Sequence, residues 1–232
     1  LITGASSGIG RDIAREFAKL KYDIVLVARN VERMEALKTE LEKEYNVKVN
    51  YHSVDLTNRE NCINLYGKEK EIDILVNNAG LGDFGRFTET SLDKEFSIID
   101  TDITALHILT KLYLKDMKER NSGIILNVAS IAGFLPGPLM ATYYAAKNYV
   151  VRLSEAIKEE LNKEKSKVQI SILCPGPVKT NFNNVANVKF ELSSLSSEYV
   201  ARYTVKKLLK GKFYIVPGFT VKCTKFFSKV VP

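Results

Sequence analysis

Short apolar runs alternate along this chain with longer amphipathic stretches. Residues 23–28 (Asp-Ile-Val-Leu-Val-Ala) read as a strand buried on both faces. Residues 31–45 place Leu37, Leu41 and Tyr45 at helical spacing. Residues 47–51 alternate as a strand does, and 72–76 form another apolar strand. A long helix is expected over about 93–119, a strand over 123–128 and a helix over 142–163; strands at 168–173 and 213–216 close the series. Helix-sized stretches separate most of the strands, which predicts a parallel sheet covered on both faces. No repeat, low-complexity tract or linker interrupts the pattern. The reading is therefore one doubly wound α/β domain over residues 1–232, with about seven strands. Leu1-Ile2 reads as the end of a strand already under way, without an initiating Met. Residues upstream are expected, and a leader or membrane anchor there stays open.

In such sheets a ligand sits beyond the carboxyl ends of the strands, where the strand order reverses. The candidate chemistry falls at such places. Thr3-Gly4-Ala5-Ser6-Ser7-Gly8-Ile9-Gly10 follows the first strand and precedes a helix expected to begin near Arg11. Glycines let backbone approach a pyrophosphate, and a helix N-terminus supplies unpaired N–H groups and a positive dipole end. The second strand ends at Ala28-Arg29-Asn30 with no carboxylate to meet a ribose 2′-hydroxyl. Arg29 offers instead a fork of donors matched to a 2′-phosphate, with Arg11 a second candidate. Tyr143 and Lys147 lie four apart on an expected helix and share a face. An ammonium beside a phenol favours the phenolate, so this pair is expected to lower the tyrosine pKa toward the working range. Such a pair is also what an ordinary amphipathic face carries, and Tyr144, three from Lys147, is a rival.

The spacing Gly-x-x-x-Gly-x-Gly preceded by Thr resembles the short-chain dehydrogenase/reductase family. Further matches follow in family order: Asp55-Leu56, Asn77-Asn78-Ala79-Gly80, Ser130, Tyr143-x-x-x-Lys147 and Pro175-Gly176-Pro177-Val178-Lys179-Thr180. The resemblance implies a Rossmann-like fold and an NADP(H)-dependent oxidoreductase interconverting a carbonyl and a secondary alcohol. Tyr143 would be the acid/base, Lys147 its partner and a ligand of the nicotinamide ribose, and Ser130 the holder of the substrate oxygen. Gly4, Ser6, Ser7, Gly8, Ile9 and Gly10 would carry the pyrophosphate turn. Arg29 and Asn30 would meet the adenosine ribose, and Asp55 and Leu56 would flank the adenine. Asn78, Ala79 and Gly80 would line the adenosine side and brace the sheet. Pro175, Gly176, Val178 and Thr180 would hold the nicotinamide end. The family usually adds an Asn in the long helix; that place here falls on Asp102. A carboxylate there would either kink the helix and hold a relay water, or pair with Lys147 and weaken the relay. Family members usually associate through the long helices, so a homodimer or homotetramer is expected.

Apolar residues make up 45% and charged residues 26%, which excludes a disordered chain or a disulfide-stapled mini-protein. Cys62, Cys174 and Cys223 fit no zinc or disulfide spacing, as expected of free thiols in a reducing, cytoplasmic setting, and no metal is expected. The formal charge of +7 sits mostly on mixed-charge helix faces such as residues 38–44, so no nucleic-acid partner is expected. The tail over 219–232 is the exception. As a helix, Lys222, Lys225 and Lys229 would fall within roughly a 60° arc, opposite Phe226, Phe227, Val230 and Val231. Such a tail would either lie on an anionic membrane or pack on protein. Apolar residues at 81–87 (Leu81 to Phe87), Phe134, Leu135, Leu139, Met140, Phe182 and Val185 suggest an apolar substrate, with residues 181–192 as a lid. The rival functions are a dinucleotide-binding regulator or scaffold with little turnover, hinted at by Asp102, and a surface binder that uses the positive charge.

Overall fold

The computed structural model describes residues 1–182, 186 and 194–218. Seven parallel strands form one sheet: β1 (Ile2–Thr3), β2 (Ile24–Ala28), β3 (Val49–Ser53), β4 (Ile74–Asn77), β5 (Ile124–Val128), β6 (Gln169–Leu173) and β9 (Tyr214–Ile215). Their order is β3-β2-β1-β4-β5-β6-β9. The chain winds outward from β1 to β3, then returns to the other side of β1 with β4. That reversal opens a crevice at the carboxyl ends of β1 and β4. The short strands β7 (Val178–Lys179) and β8 (Leu195–Ser196) pair with each other in a separate two-stranded sheet, which the apolar runs do not reveal.

Both faces of the sheet are covered, which is why central strands such as β2 and β5 are mainly apolar rather than alternating, whereas the edge strand β3 alternates. On one face lie α1 (Gly8–Lys19), α2 (Val31–Tyr45) and α7 (Ser197–Leu208), the last of these labelled in chain order. Ile13, Phe17, Met34, Leu41, Val200 and Leu208 from these helices join one core with Leu26 and Val76 of the sheet. On the other face α3 (Arg59–Lys68), α5 (Leu106–Glu119) and α6 (Ala141–Lys163) bring Leu65, Leu109, Tyr113, Met117 and Leu161 onto Leu75 and Ile125. Met34, Leu41, Leu65 and Leu109 are almost wholly buried, and each such side chain contributes about 1.5–3 kcal/mol.

The helix starts follow local chemistry. Asn30 caps α2 by accepting from Arg33 N, and Asn58 caps α3 by accepting from the Glu60 and Asn61 amides. Periodicity alone does not reveal α3 and α7. In α3 only Cys62 and Leu65 are buried, so its apolar stripe is thin, and Ser196 caps α7 after a connection with no apolar run.

The long helix expected over 93–119 runs unbroken over 92–119 but does not keep one winding. It divides into α4 (Leu92–Ile98), a π segment Ile99–Ala105 and α5. The wider turn carries Asp102, which is fully buried and whose Oδ1 accepts from Leu81 N at 2.7 Å. A tertiary anchor of this kind is not written in a 3.6-residue period.

A buried polar chain ties the strands that carry the site to the helices that face it. Asn77 and Asn127 sit opposite each other on β4 and β5. Asn77 Nδ2 donates to Asn127 Oδ1 at 2.9 Å and to Thr110 Oγ1 of α5 at 3.0 Å. Asn127 Nδ2 donates to Ser154 Oγ of α6 at 3.0 Å. Among the described residues no helix is long and apolar enough to cross a membrane. The lysine-rich tail at 219–232 lies outside the described residues. Replacing Asn127 by Ala leaves one Asn77 N–H and one acceptor site on Ser154 Oγ unpaired in the interior, although Asn77 keeps Thr110 and the Ser154 hydroxyl keeps Val150 O. The expected loss is about 3 kcal/mol of unfolding free energy, read by chemical denaturation.

Candidate active site

The first turn is built against the strand that follows the reversal. Thr3 Oγ1 accepts from the backbone N–H groups of Asn78 (2.9 Å) and Ala79 (3.0 Å). Asn78 Nδ2 returns a hydrogen bond to Thr3 O at 2.9 Å and reaches Gly4 O at 3.3 Å. Gly10 sits behind this junction: a Cβ there would lie 2.4 Å from Asn78 Nδ2 and 2.6 Å from Gly4 O. Gly8 has φ +55° and faces Thr180, whose Cγ2 would be 2.9 Å from a Cβ. Ser7, at the N-cap of α1, makes no side-chain cap and no acidic residue occupies the first turn. The first N–H groups of α1 are thus left for a ligand, and the glycines leave a cradle that a side chain would fill. This is the donor set a dinucleotide pyrophosphate requires.

The turn opens into a cleft of about 470 Å³. Gly4, Ser6, Ser7, Gly8 and Ile9 line one end, with Arg29 and Asn30 from the end of β2 and Asp55 and Leu56 after β3. Asn78, Ala79 and Gly80 line the middle, and Pro175, Gly176, Val178 and Thr180 the far side. Asp55 Oδ1 accepts from Thr57 N at 3.1 Å and Thr57 Oγ1 at 2.9 Å. The Thr57 amide, against the opposing effect of burial, holds the Asp55 carboxyl below the usual carboxylate range, and the nearby Arg29 adds to this. Arg11 does not line the cleft. Its guanidinium is turned onto Asp12 at 2.9 Å and 3.2 Å, which leaves Arg29 as the cation at the β2 end.

Ser130, Tyr143 and Lys147 all line the same cleft. Ser130 follows β5 and starts a 3-10 turn (Ile131–Phe134), its Oγ accepting from Ala132 N at 3.2 Å. Asn148 Nδ2 fixes the following loop by donating to Ala132 O and Leu135 O, each at 3.1 Å. Ser130 is within hydrogen-bonding reach of the Tyr143 hydroxyl. The Lys147 ammonium lies 5.6 Å from the centroid of the Tyr143 ring. Tyr144 also lines the cleft, but its ring is stacked on Gly137, where a Cβ would come within 2.2 Å of it. Tyr144 is therefore a wall, and Tyr143 is the tyrosine held with both Ser130 and Lys147.

Two expectations change here. Lys147 does not act on Tyr143 alone: its Nζ is 2.9 Å from Asp102 Oδ2 and donates to Val128 O at 3.2 Å. Of the two arrangements open to Asp102, the structure adopts the ion pair with Lys147. The net direction for Tyr143 is upward from the ordinary phenol value, not downward. Burial is the largest cause, Lys147 and the Ser130 hydrogen bond pull the other way, and Asp102 works against Lys147. Burial disfavours the Lys147 ammonium, but Asp102 and Tyr143 outweigh it and raise its pKa.

Of the expected apolar wall, Leu81, Met140 and Phe182 line the cleft. Phe134 packs instead with Val150, Val151 and Ile172 behind it, and Leu139 is exposed. Val185 and most of the 181–192 lid lie outside the described residues. The motif reading did not reveal Thr101, Thr57 or Asn181, which also line the cleft, or the Thr3 and Asn148 hydrogen bonds that hold its walls. Among the described residues no cluster of His, Cys, Asp and Glu could hold a metal ion.

Comparison with known proteins agrees with this geometry. The human 17-beta-hydroxysteroid dehydrogenase type 3 is 34% identical over 206 residues, covering 86% of this chain and 65% of that protein. The very-long-chain 3-oxoacyl-CoA reductase of Laccaria bicolor is 32% identical over 175 residues, covering 73% and 52%. This chain thus spans under two thirds of the length of these two relatives. A short-chain dehydrogenase from Sphingobium yanoikuyae, solved in complex with NADPH, superposes with a TM-score of 0.89 at 27% identity, covering 99% of this chain and 92% of that one. Residues 1–189 match the short chain dehydrogenase family. The chain, with its seven-stranded Rossmann-like sheet, belongs to the short-chain dehydrogenase family of oxidoreductases.

Proposed function

We propose that this chain is an NADP(H)-dependent oxidoreductase that interconverts a carbonyl and a secondary alcohol on an apolar small molecule. The observation that carries the reading is the convergence of Ser130, Tyr143 and Lys147 on one cleft that also contains the uncapped N-terminus of α1. A nicotinamide dinucleotide bound there supplies or accepts the hydride at the substrate carbon. The α1 amides and the Ser6–Ile9 backbone hold its pyrophosphate, Arg29 its 2′-phosphate, and Val178 and Thr180 its nicotinamide end. The NADPH of the Sphingobium neighbour and the absence of a carboxylate at residues 28–30 support the phosphorylated cofactor.

Ser130 Oγ donates to the substrate oxygen and fixes its position. Tyr143 Oη gives that oxygen its proton in reduction and takes it in oxidation. Half-buried and raised in pKa, the Tyr143 phenol holds its proton at neutral pH, which suits the reductive direction. Leu81, Met140, Tyr144 and Phe182 make the substrate side apolar. The relatives' names, a hydroxysteroid dehydrogenase and a very-long-chain 3-oxoacyl-CoA reductase, fit a ketone on an apolar frame or acyl chain. Assembly as a homodimer or homotetramer through α5 and α6 belongs to the same reading. The rival, a dinucleotide-binding regulator with little turnover, draws on Asp102 occupying Lys147. Tight NADPH binding with no consumption across a panel of carbonyls would favour it.

Tyr143→Phe is expected to lower turnover by about 10²- to 10⁴-fold with NADPH affinity unchanged, while Tyr144→Phe stays active. Steady-state rates and fluorescence titration of NADPH read both. Arg29→Ala is expected to weaken NADPH by about 10- to 100-fold, the equivalent of about 1.5–3 kcal/mol for a charged hydrogen bond, and to leave NADH nearly untouched. Parallel titrations of the two cofactors check this, and equal losses would remove Arg29 from the 2′-phosphate.

A further inference from the structure

Lys147 lines the cleft and Asp102, which does not, is paired with it next to Gly80. A Cβ on Gly80, which lines the cleft, would be 3.1 Å from Asp102 Oδ2 and 3.2 Å from Lys147 Nζ. Asp102 is fully buried and Lys147 almost so. The carboxylate is held from both ends: Oδ1 by Leu81 N at 2.7 Å and Oδ2 beside the ammonium at 2.9 Å. The π segment fixes its backbone, and the Leu81 amide keeps it from swinging away. Other groups face Lys147 from the elements around it: Tyr143 on its own helix, Cys174 after β6 and the Val128 carbonyl of β5. Tyr143 is faced by Ser130, Lys147, Asp102 and Tyr144. Within this set Asp102, Tyr143 and the Cys174 thiol can each be an anion, and Lys147 is the one ammonium they face.

We propose that Asp102 is a positioning residue for the reaction, the resident counter-ion of Lys147, so that a Tyr143 phenolate must compete for an ammonium already paired. The inference rests on the acid/base reading of Tyr143. With the phenol protonated, Asp102 and Lys147 leave the buried site without net charge. Ionising Tyr143 gives it a net negative charge in a low-dielectric setting, which is disfavoured. An amide at position 102 would leave the ammonium without an anion, and the phenolate would become its natural partner. The carboxylate therefore keeps the proton on Tyr143 and biases the chain toward delivering it, that is, toward carbonyl reduction. Alcohol oxidation is expected only at more alkaline pH.

Asp102→Asn tests this because the amide oxygen can still accept from Leu81 N while the charge is lost. Tyrosinate absorbance is titrated on the cofactor-free protein, and the same titration on a Tyr143→Phe background is subtracted to isolate Tyr143. The Asn protein is expected to show this step about 1 pH unit lower. The acid limb of kcat/KM for alcohol oxidation should move by the same amount, so that oxidation on that limb rises about 10-fold. An unmoved or raised Tyr143 step would overturn the proposal and leave Asp102 as a brace for Leu81. If the Asn protein does not fold, Asp102→Ser, also uncharged, is held to the same shift and the same failure. A lowered step with no turnover of any alcohol or carbonyl by either protein would support the charge competition and sink the acid/base reading instead.

Discussion

The hydrogen bonds between Thr3 and residues 78–79 close the seam on which this molecule depends. At that seam β1 and β4 run side by side although the chain between them has travelled out through two strands and three helices and back. Thr3 Oγ1 takes two backbone donors of the returning segment, and Asn78 gives its amide back to the first turn. This exchange extends the backbone pairing of Ile2 with Val76 past the ends of β1 and β4 and gives the turn before α1 something to rest on. The close approach of Gly10 to Gly4 O and Asn78 follows from the same seam. One set of short hydrogen bonds thus fixes both where the helix begins and where the cleft opens.

From there the site is assembled by two further buried polar arrangements. The Asn77–Asn127–Ser154 chain holds α6 against β5, and α6 carries the tyrosine and lysine. Asn148 holds the loop after Ser130 against the same helix. A proton-transfer group needs its members fixed to within a fraction of an ångström. Here that precision comes from amide side chains that would be costly to bury unpaired. The ion pair then places opposing charges near the tyrosine, Lys147 lowering its pKa and Asp102 raising it, while burial outweighs both.

Much of this was legible in the sequence. The strands at 23–28, 123–128 and 168–173 were plain because strands buried on both faces are apolar without alternation. The glycine turn, Ser130 and the Tyr143–Lys147 spacing were plain because each is local. What stayed hidden was tertiary. Nothing in the period of residues 93–119 shows that the helix widens around Asp102, whose carboxylate is held by the Leu81 amide some twenty residues earlier. Likewise, four-residue spacing predicts that Lys147 reaches Tyr143, but not that burial and the Asp102 carboxylate reverse the net direction of the phenol's pKa. Arg11 looked available for phosphate until the Asp12 carboxylate beside it took its guanidinium. The Asn77–Asn127 pairing could have been anticipated, because an Asn inside each of two otherwise apolar strands is itself a signal of a buried partner.

The ring of Tyr144 lies flat against Gly137, a residue with no side chain to hold it off. A Cβ at 137 would meet that ring at 2.2 Å, so any side chain there has to displace it. Tyr144 lines the cleft, so the shape of that wall depends on a backbone position that does not itself line it.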